Sequence, residues 1–210
     1  MEQKSYNKII HNIHEKTQIL TNNEENTRIL KRVSKKLEKR IPSKFFSGID
    51  YIFYGSFPHT AVYDNGIIYI SNTFLDASMI AENICFKIGE HAYCRRDEED
   101  MRMVREEFLD KRTKLFYDLE KRGYKFALGD FMSTDNESVY DKIIDKKIEF
   151  EDLHEISSYY FDDIDSTRSM KGYFSSVFYH YFFSKKSLYS KNYKKTFNYL
   201  KEIIKNEERY

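Results

Sequence analysis

The stretch Ser78–Cys94, SMIAENICFKIGEHAYC, limits what this chain can fold into more than any other. Met79, Ile80, Ile84, Ile88 and Ala92 recur at helical spacing, so one face of the stretch is made for burial. A helix of that length is roughly 25 Å long at 1.5 Å per residue, and the rest of the chain must supply a layer to cover it. Its other positions carry Phe86, Lys87 and Glu90, a mixture that neither an all-solvent nor an all-core face explains. Asp76, just ahead of the stretch, is suited to cap its N-terminus.

The covering layer is legible on both sides. Residues 1–24 place Ile9, Ile10, Ile13, Ile19 and Leu20 among polar residues, and the spacing predicts a helical extension closed by Thr21-Asn22-Asn23. A second helix over 25–40 buries Ile29, Leu30, Val33 and Leu37 and turns Lys31, Arg32, Lys35, Lys36, Lys39 and Arg40 outward. From Pro42 the pattern becomes β: IDYIFY over 49–54, then TAVYDNGIIYIS, where Asn65-Gly66 supplies the positive φ of a hairpin turn.

After the central stretch comes a long helix from Met101 to Arg122, with Val104, Phe108, Leu115, Phe116 and Leu119 as its buried stripe and Gly123 as its C-cap. Residues 124–165 read as irregular, with a short helix at Glu137–Asp145. A Phe- and Tyr-rich helix over 166–183 and a last helix over 190–205 complete the pattern. The chain lacks internal repeats and low-complexity linkers, so it divides into the extension 1–24 and one domain, 25–210. The fold class expected is α+β, helix-rich, with a small antiparallel sheet packed against helices.

Charge and cysteine usage narrow the chemistry. With 35 basic and 34 acidic residues the chain has no general drive toward nucleic acid or an anionic membrane. The basic run at 31–44 is the one local exception, and a solvated helix face accounts for it. Cys85 and Cys94 are nine residues apart on one helix, about 13 Å, too far for a disulfide. The N-terminus MEQKSYNKII has no apolar signal core, and no run is long enough to span a membrane, which predicts a soluble intracellular protein. Phosphate-binding glycine loops and G-x-S-x-G are lacking. Asp162, Asp163 and Asp165 lack the glycine and the closing glutamate of a calcium loop.

The segments PSKFFSGIDYIFYGSF, AVYDNGIIYIS, ENICFKIGEHA, EEFLDKRTKLFYDL and STRSMKGYFSSVFYHYF, preceded and followed by helices, together resemble the lethal-factor-like zinc metallopeptidase domains, a family that includes many phage-encoded members. The resemblance covers roughly residues 29–205 and rests on the order and spacing of segments. It implies a zincin-like fold in which the central helix carries H-E-x-x-H and a later helix supplies a glutamate as third ligand. Here Phe86 stands at the first histidine, Lys87 at the glutamate base, Glu90 at the second histidine and Gly172 at the third ligand. Phenylalanine and glycine have no ligand atoms, and a lysine repels a divalent cation where the base should be. The expectation is therefore a degenerate site with no catalytic residue, no metal and no cofactor, in which Lys87 and Glu90 pair as i and i+3.

On this reading the chain is an inactive metallopeptidase-like protein, a viral or phage structural or binding module. Its partner is a protein, such as another virion component, and neither a membrane nor a small-molecule substrate. Its place is the virion or the host cytoplasm. Two alternatives stay open: a metal-dependent peptidase with relocated ligands, drawn from Glu90, His91 and a distant His154 or His180, and a nucleic-acid-binding protein acting through the basic helix at 31–44. His11 and His14 share a face if the N-terminal segment is helical, and Cys85 reads as a buried, inert thiol.

Overall fold

Residues 8–21 form a β-hairpin, β1 (Lys8–Ile13) and β2 (Thr17–Thr21), where the apolar spacing predicts a helix. In the computed structural model, which describes residues 8–134, 140 and 148–206, the turn between them is closed by the Lys16 N–H on the Ile13 carbonyl, 3.0 Å. Its residues His14 and Glu15 both have positive φ, 49° and 59°, as in a type I′ turn, and the register Ile13↔Thr17 leaves His14–Lys16 between the strands. Of the five apolar residues, Ile19 and Leu20 lie on β2, which pairs with a distant strand and is buried almost along its whole length, while Ile9, Ile10 and Ile13 lie on the edge strand β1.

The chain divides into two compact units, Met1–Ala92 and Tyr93–Tyr210. In the first unit, β2 is followed by α1 (Thr27–Arg40), β3 (Tyr51–Gly55), β4 (Ala61–Asp64), β5 (Ile67–Ser71) and α2 (Ala77–Cys94), whose last two residues fall to the second unit. The sheet order is β1-β2-β3-β5-β4. The expected antiparallel sheet is in fact mixed: β2–β3 and β3–β5 are parallel, and the two edge strands are antiparallel to their neighbours. Helix α1 carries the chain back across the sheet between β2 and β3 and makes them parallel, and β3 and β5 are parallel because the chain between them passes through β4 on the far side of β5.

Register decides what the sheet buries. Ile19, Ile52 and Ile68 lie side by side across β2, β3 and β5, each 1 % exposed or less. Full burial of such a side chain contributes about 1.5–3 kcal/mol. Tyr54 and Ile70 form the next inward pair. Helix α1 turns Leu30, Val33 and Leu37 inward, and α2 buries Ile80, Ile84, Ile88 and Ala92. Asp76 caps α2 as its position suggests, Oδ1 accepting the Ser78 and Met79 N–H groups at 2.7 and 3.2 Å.

The second unit is helical: α3 (Arg102–Lys121), α4 (Leu128–Met132), α5 (Phe150–Ser157), α6 (Asp165–Arg168), α7 (Met170–Phe183), α8 (Lys186–Tyr189) and α9 (Lys194–Asn206). Its core is aromatic, with Phe108, Phe161 and Tyr173 in mutual edge or tilted contact, centroids 5.3–6.1 Å apart. Gly123 ends α3 with φ 95°, and the Gly123 and Tyr124 N–H groups close on the Glu120 and Leu119 carbonyls at 2.9 and 3.2 Å. The segment 124–165 is less irregular than its composition suggests, since α4 and α5 lie in it. The short helix expected at Glu137–Asp145 lies outside the described residues apart from Tyr140. The expected helix 166–183 is broken at Ser169, whose extended backbone frees its side chain to cap α7 on the Gly172 N–H, 3.1 Å.

Candidate functional site

Phe86, Lys87 and Glu90, which the sequence resemblance would align with zinc-site positions, lie along α2. Lys87 Nζ donates to Glu90 Oε1 at 2.7 Å, and the two side chains are only 16 % and 14 % exposed. The ammonium also lies 5.4 Å from the ring centroid of half-buried Phe86. The pair expected from i, i+3 spacing is therefore formed. These residues do not fit a zinc ion: Phe86 has no donor, Lys87 is a cation, and the Glu90 carboxylate is already engaged by that cation.

His91, one residue on, is committed elsewhere. Its Nε2 lies 2.9 Å from the Ser47 carbonyl and its Nδ1 2.7 Å from the Tyr63 hydroxyl. A carbonyl only accepts, so Nε2 carries the proton and Nδ1 accepts from Tyr63. The lone pair a metal would need is in use, and His91, 4 % exposed, joins α2 to the loop before β3 and to the β4–β5 hairpin. That hairpin tip has no room to spare: a Cβ on Gly66, φ 85°, would meet the Gly48 carbonyl oxygen at 2.6 Å.

Gly172 belongs to the second unit, in the first turn of α7. A Cβ there would lie 2.9 Å from the Asp165 carbonyl oxygen, so the backbone of α6 occupies the space in which a ligand side chain would begin. His180, the other histidine considered as a relocated ligand, is 4 % exposed and has both nitrogens engaged, Nε2 with the Asp162 carboxylate and Nδ1 with Ser184 Oγ at 2.9 Å. Its ring stacks on Tyr189, centroids 3.9 Å apart. His154 lies against the ring of Phe150. His11 and His14 stand on the N-terminal hairpin instead of a helix face, and both reach α1: His11 pairs with Glu38 at 3.3 Å, and His14 Nε2 donates to the Ile41 carbonyl at 3.0 Å. Among the described residues no group of three His, Cys, Asp or Glu side chains is placed to hold a metal ion. Asp163 serves as a cap, Oδ1 accepting the Ser166 N–H at 2.6 Å, and burial pushes its carboxyl above the usual range.

Cys85 is fully buried, and burial together with the Glu82 charge pushes its thiol well up, which suits an inert core residue. Cys94 is exposed, and neither cysteine is in a disulfide. No helix among the described residues is long and apolar enough to cross a membrane.

The second unit holds charge that the sequence pattern does not announce. Arg112 is fully buried on α3, and all five of its N–H groups go to backbone carbonyls. Nε and Nη2 donate to Thr167 at 2.9 and 2.6 Å, Nη1 to Phe131 and Ser133 at 3.1 and 2.5 Å, and Nη2 also to Arg168. The guanidinium lies between the rings of Phe108 and Tyr140, 4.6 and 4.2 Å from their centroids. Burial draws its pKa down to about 10.

One turn earlier, Glu107 accepts the Lys195 and Thr196 backbone N–H groups at 2.9 and 3.0 Å, the Thr196 hydroxyl at 2.7 Å and the Tyr173 hydroxyl at 3.0 Å. A carboxylate from α3 thus caps the N-terminus of α9. Between them Lys111, 8 % exposed, donates to the Tyr160 carbonyl at 2.8 Å over the ring of Tyr193, and burial lowers its pKa to about 8. For the two cations the signal is a gap: the apolar stripe of α3 runs 104, 108, 115, 119, and the missing rung at 111–112 is filled by Lys111 and Arg112.

No protein-family model, no curated protein and no solved structure matches this chain.

Proposed function

We propose that this chain is a catalytically inactive relative of the lethal-factor-like metallopeptidases, retained as a protein-binding or structural module of a virus or phage, with its place in the virion or the host cytoplasm. The observation that carries the reading is the Lys87–Glu90 ion pair, 2.7 Å long and largely buried, at the two positions that the resemblance gives to the general base and the second histidine. The order α1, β3, the β4–β5 hairpin and α2 is also that of the segments on which the resemblance rests. The zincin-like fold belongs to the same proposal. A core of this kind outlives its chemistry when loops and edges around it serve a partner.

Elemental analysis of the purified protein tests the inactive-site reading. The expected result is zinc far below one equivalent, with no shift in thermal unfolding on adding zinc. Stoichiometric zinc that is lost in Glu90→Gln would replace this reading with a peptidase using relocated ligands. Quantitative proteomics of purified particles from the source tests the module: a fixed copy number matching a symmetric assembly is expected, and absence from both particles and infected-cell complexes would sink it.

A further inference from the structure

The second unit has a half-open cavity of about 400 Å³ between α3, the turn after α5 and the segment leading into α9. Five of its lining residues are lysines, Lys111, Lys114, Lys191, Lys194 and Lys195, against the two carboxylates Glu107 and Asp110. Three positive charges in excess at one place is a strong bias in a chain whose net charge is +1. The carboxylates are also spoken for. Glu107 caps α9, and Asp110 pairs with Lys114 at 2.7 Å. Lys195 pairs with Glu106 at 2.8 Å. Among the described residues, Lys191 and Lys194 are exposed and make no ion pair. Lys111 makes one hydrogen bond there, to the Tyr160 carbonyl, and so has two further N–H donors at the cavity wall.

Two features make this more than a solvated lysine cluster. Lys111 is held nine-tenths buried at the cavity wall, which solvent-facing lysines on a helix are not. Glu107 and Lys111, one turn apart on α3, fix the start of α9 and the Tyr160 backbone to the same helix, so the lysines converge from anchored backbone. At the rim Tyr159 is 67 % exposed, an aromatic face with access to solvent.

We propose that this cavity binds a phosphate-bearing small molecule of nucleotide size, its phosphates on Lys111, Lys191 and Lys194 and its base on the ring of Tyr159. Its volume is in the range of small-molecule sites. A multiply charged phosphate chain suits ammonium groups arriving from several directions, and an exposed tyrosine is a platform for a base. The α9 N-terminus contributes little, since the Glu107 carboxylate already occupies it.

Isothermal titration of the full chain at low ionic strength with tripolyphosphate, ATP and a single-stranded oligothymidylate tests this. Tripolyphosphate and ATP are expected to bind, ATP more tightly, with that advantage removed by Tyr159→Ala. K191E/K194E, at two exposed positions, should weaken both by about tenfold or more, while K31E/K35E on α1 should leave both unchanged. No binding at low ionic strength would overturn the proposal, as would equal losses in the two double variants. Binding of the oligonucleotide without the free phosphates would assign the surface to a nucleic-acid strand and overturn the small-molecule site.

Discussion

Lys87 Nζ and Glu90 Oε1 are 2.7 Å apart on successive turns of α2, with each side chain about 15 % exposed. Breaking such a pair from one side strands a charge in a poorly solvated place, whereas replacing both partners by apolar residues removes the desolvation cost with the attraction. Lys87→Met alone should lower stability by about 1–3 kcal/mol, and K87M/E90L should recover most of that loss. Urea unfolding of the single and double variants checks the cycle.

Arg112→Lys should be far from conservative. Lysine has three donors in place of five and no planar fork, so carbonyls of Phe131, Ser133, Thr167 and Arg168 lose partners in a buried place. A loss of about 3–5 kcal/mol is expected. Hydrogen exchange should show it first as lost protection in α4 and α6, the helices whose carbonyl ends the guanidinium holds.

The two glycines Gly66 and Gly123 separate backbone strain from steric clash. Both have positive φ, 85° and 95°, yet a Cβ at Gly66 meets a backbone oxygen at 2.6 Å while one at Gly123 meets nothing within 4 Å. Gly123→Ala should cost about 1 kcal/mol, and Gly66→Ala clearly more, because the Ser47–Asp50 loop must move away. Thermal unfolding of the two variants side by side gives the difference.

Lys111 makes stability depend on pH in a definite direction. Its pKa is lowered by burial from 10.5 to about 8, so between those values the folded chain has released a proton that the unfolded chain still holds. Stability from this group therefore rises with pH across that window and is flat below it. Tyr173 and Tyr193, whose phenols burial pushes up, work the other way above their ordinary 10.0. Wild type should accordingly gain on Lys111→Met between about pH 7 and about pH 9.5, and denaturant midpoints at those two values measure the gain.

Much of the fold is written locally. The Leu30–Val33–Leu37 stripe, the Asn65-Gly66 turn, the Asp76 cap and the Gly123 terminus each depend on a few neighbouring residues, and all stand where the sequence places them. The N-terminal hairpin does not. Its turn residues His14 and Glu15 adopt positive φ without glycine or asparagine, and β2 becomes a strand by pairing with Tyr51–Tyr54, some thirty residues later. The buried charges of α3 are hidden for the same reason. Nothing near Glu107 or Arg112 shows that a helix N-terminus and four carbonyls will arrive to meet them.

Glu107 also sets an order of events during synthesis. Its partners Lys195 and Thr196 are made 88 and 89 residues after it. Until they emerge, the Glu107 carboxylate lacks three of its four described hydrogen bonds, and the Tyr173 hydroxyl is the one of these partners made sooner. The second unit is therefore finished late, when the final helix docks. A nascent chain stopped short of Lys195 should remain open to proteolysis around α3, however well its earlier helices have formed.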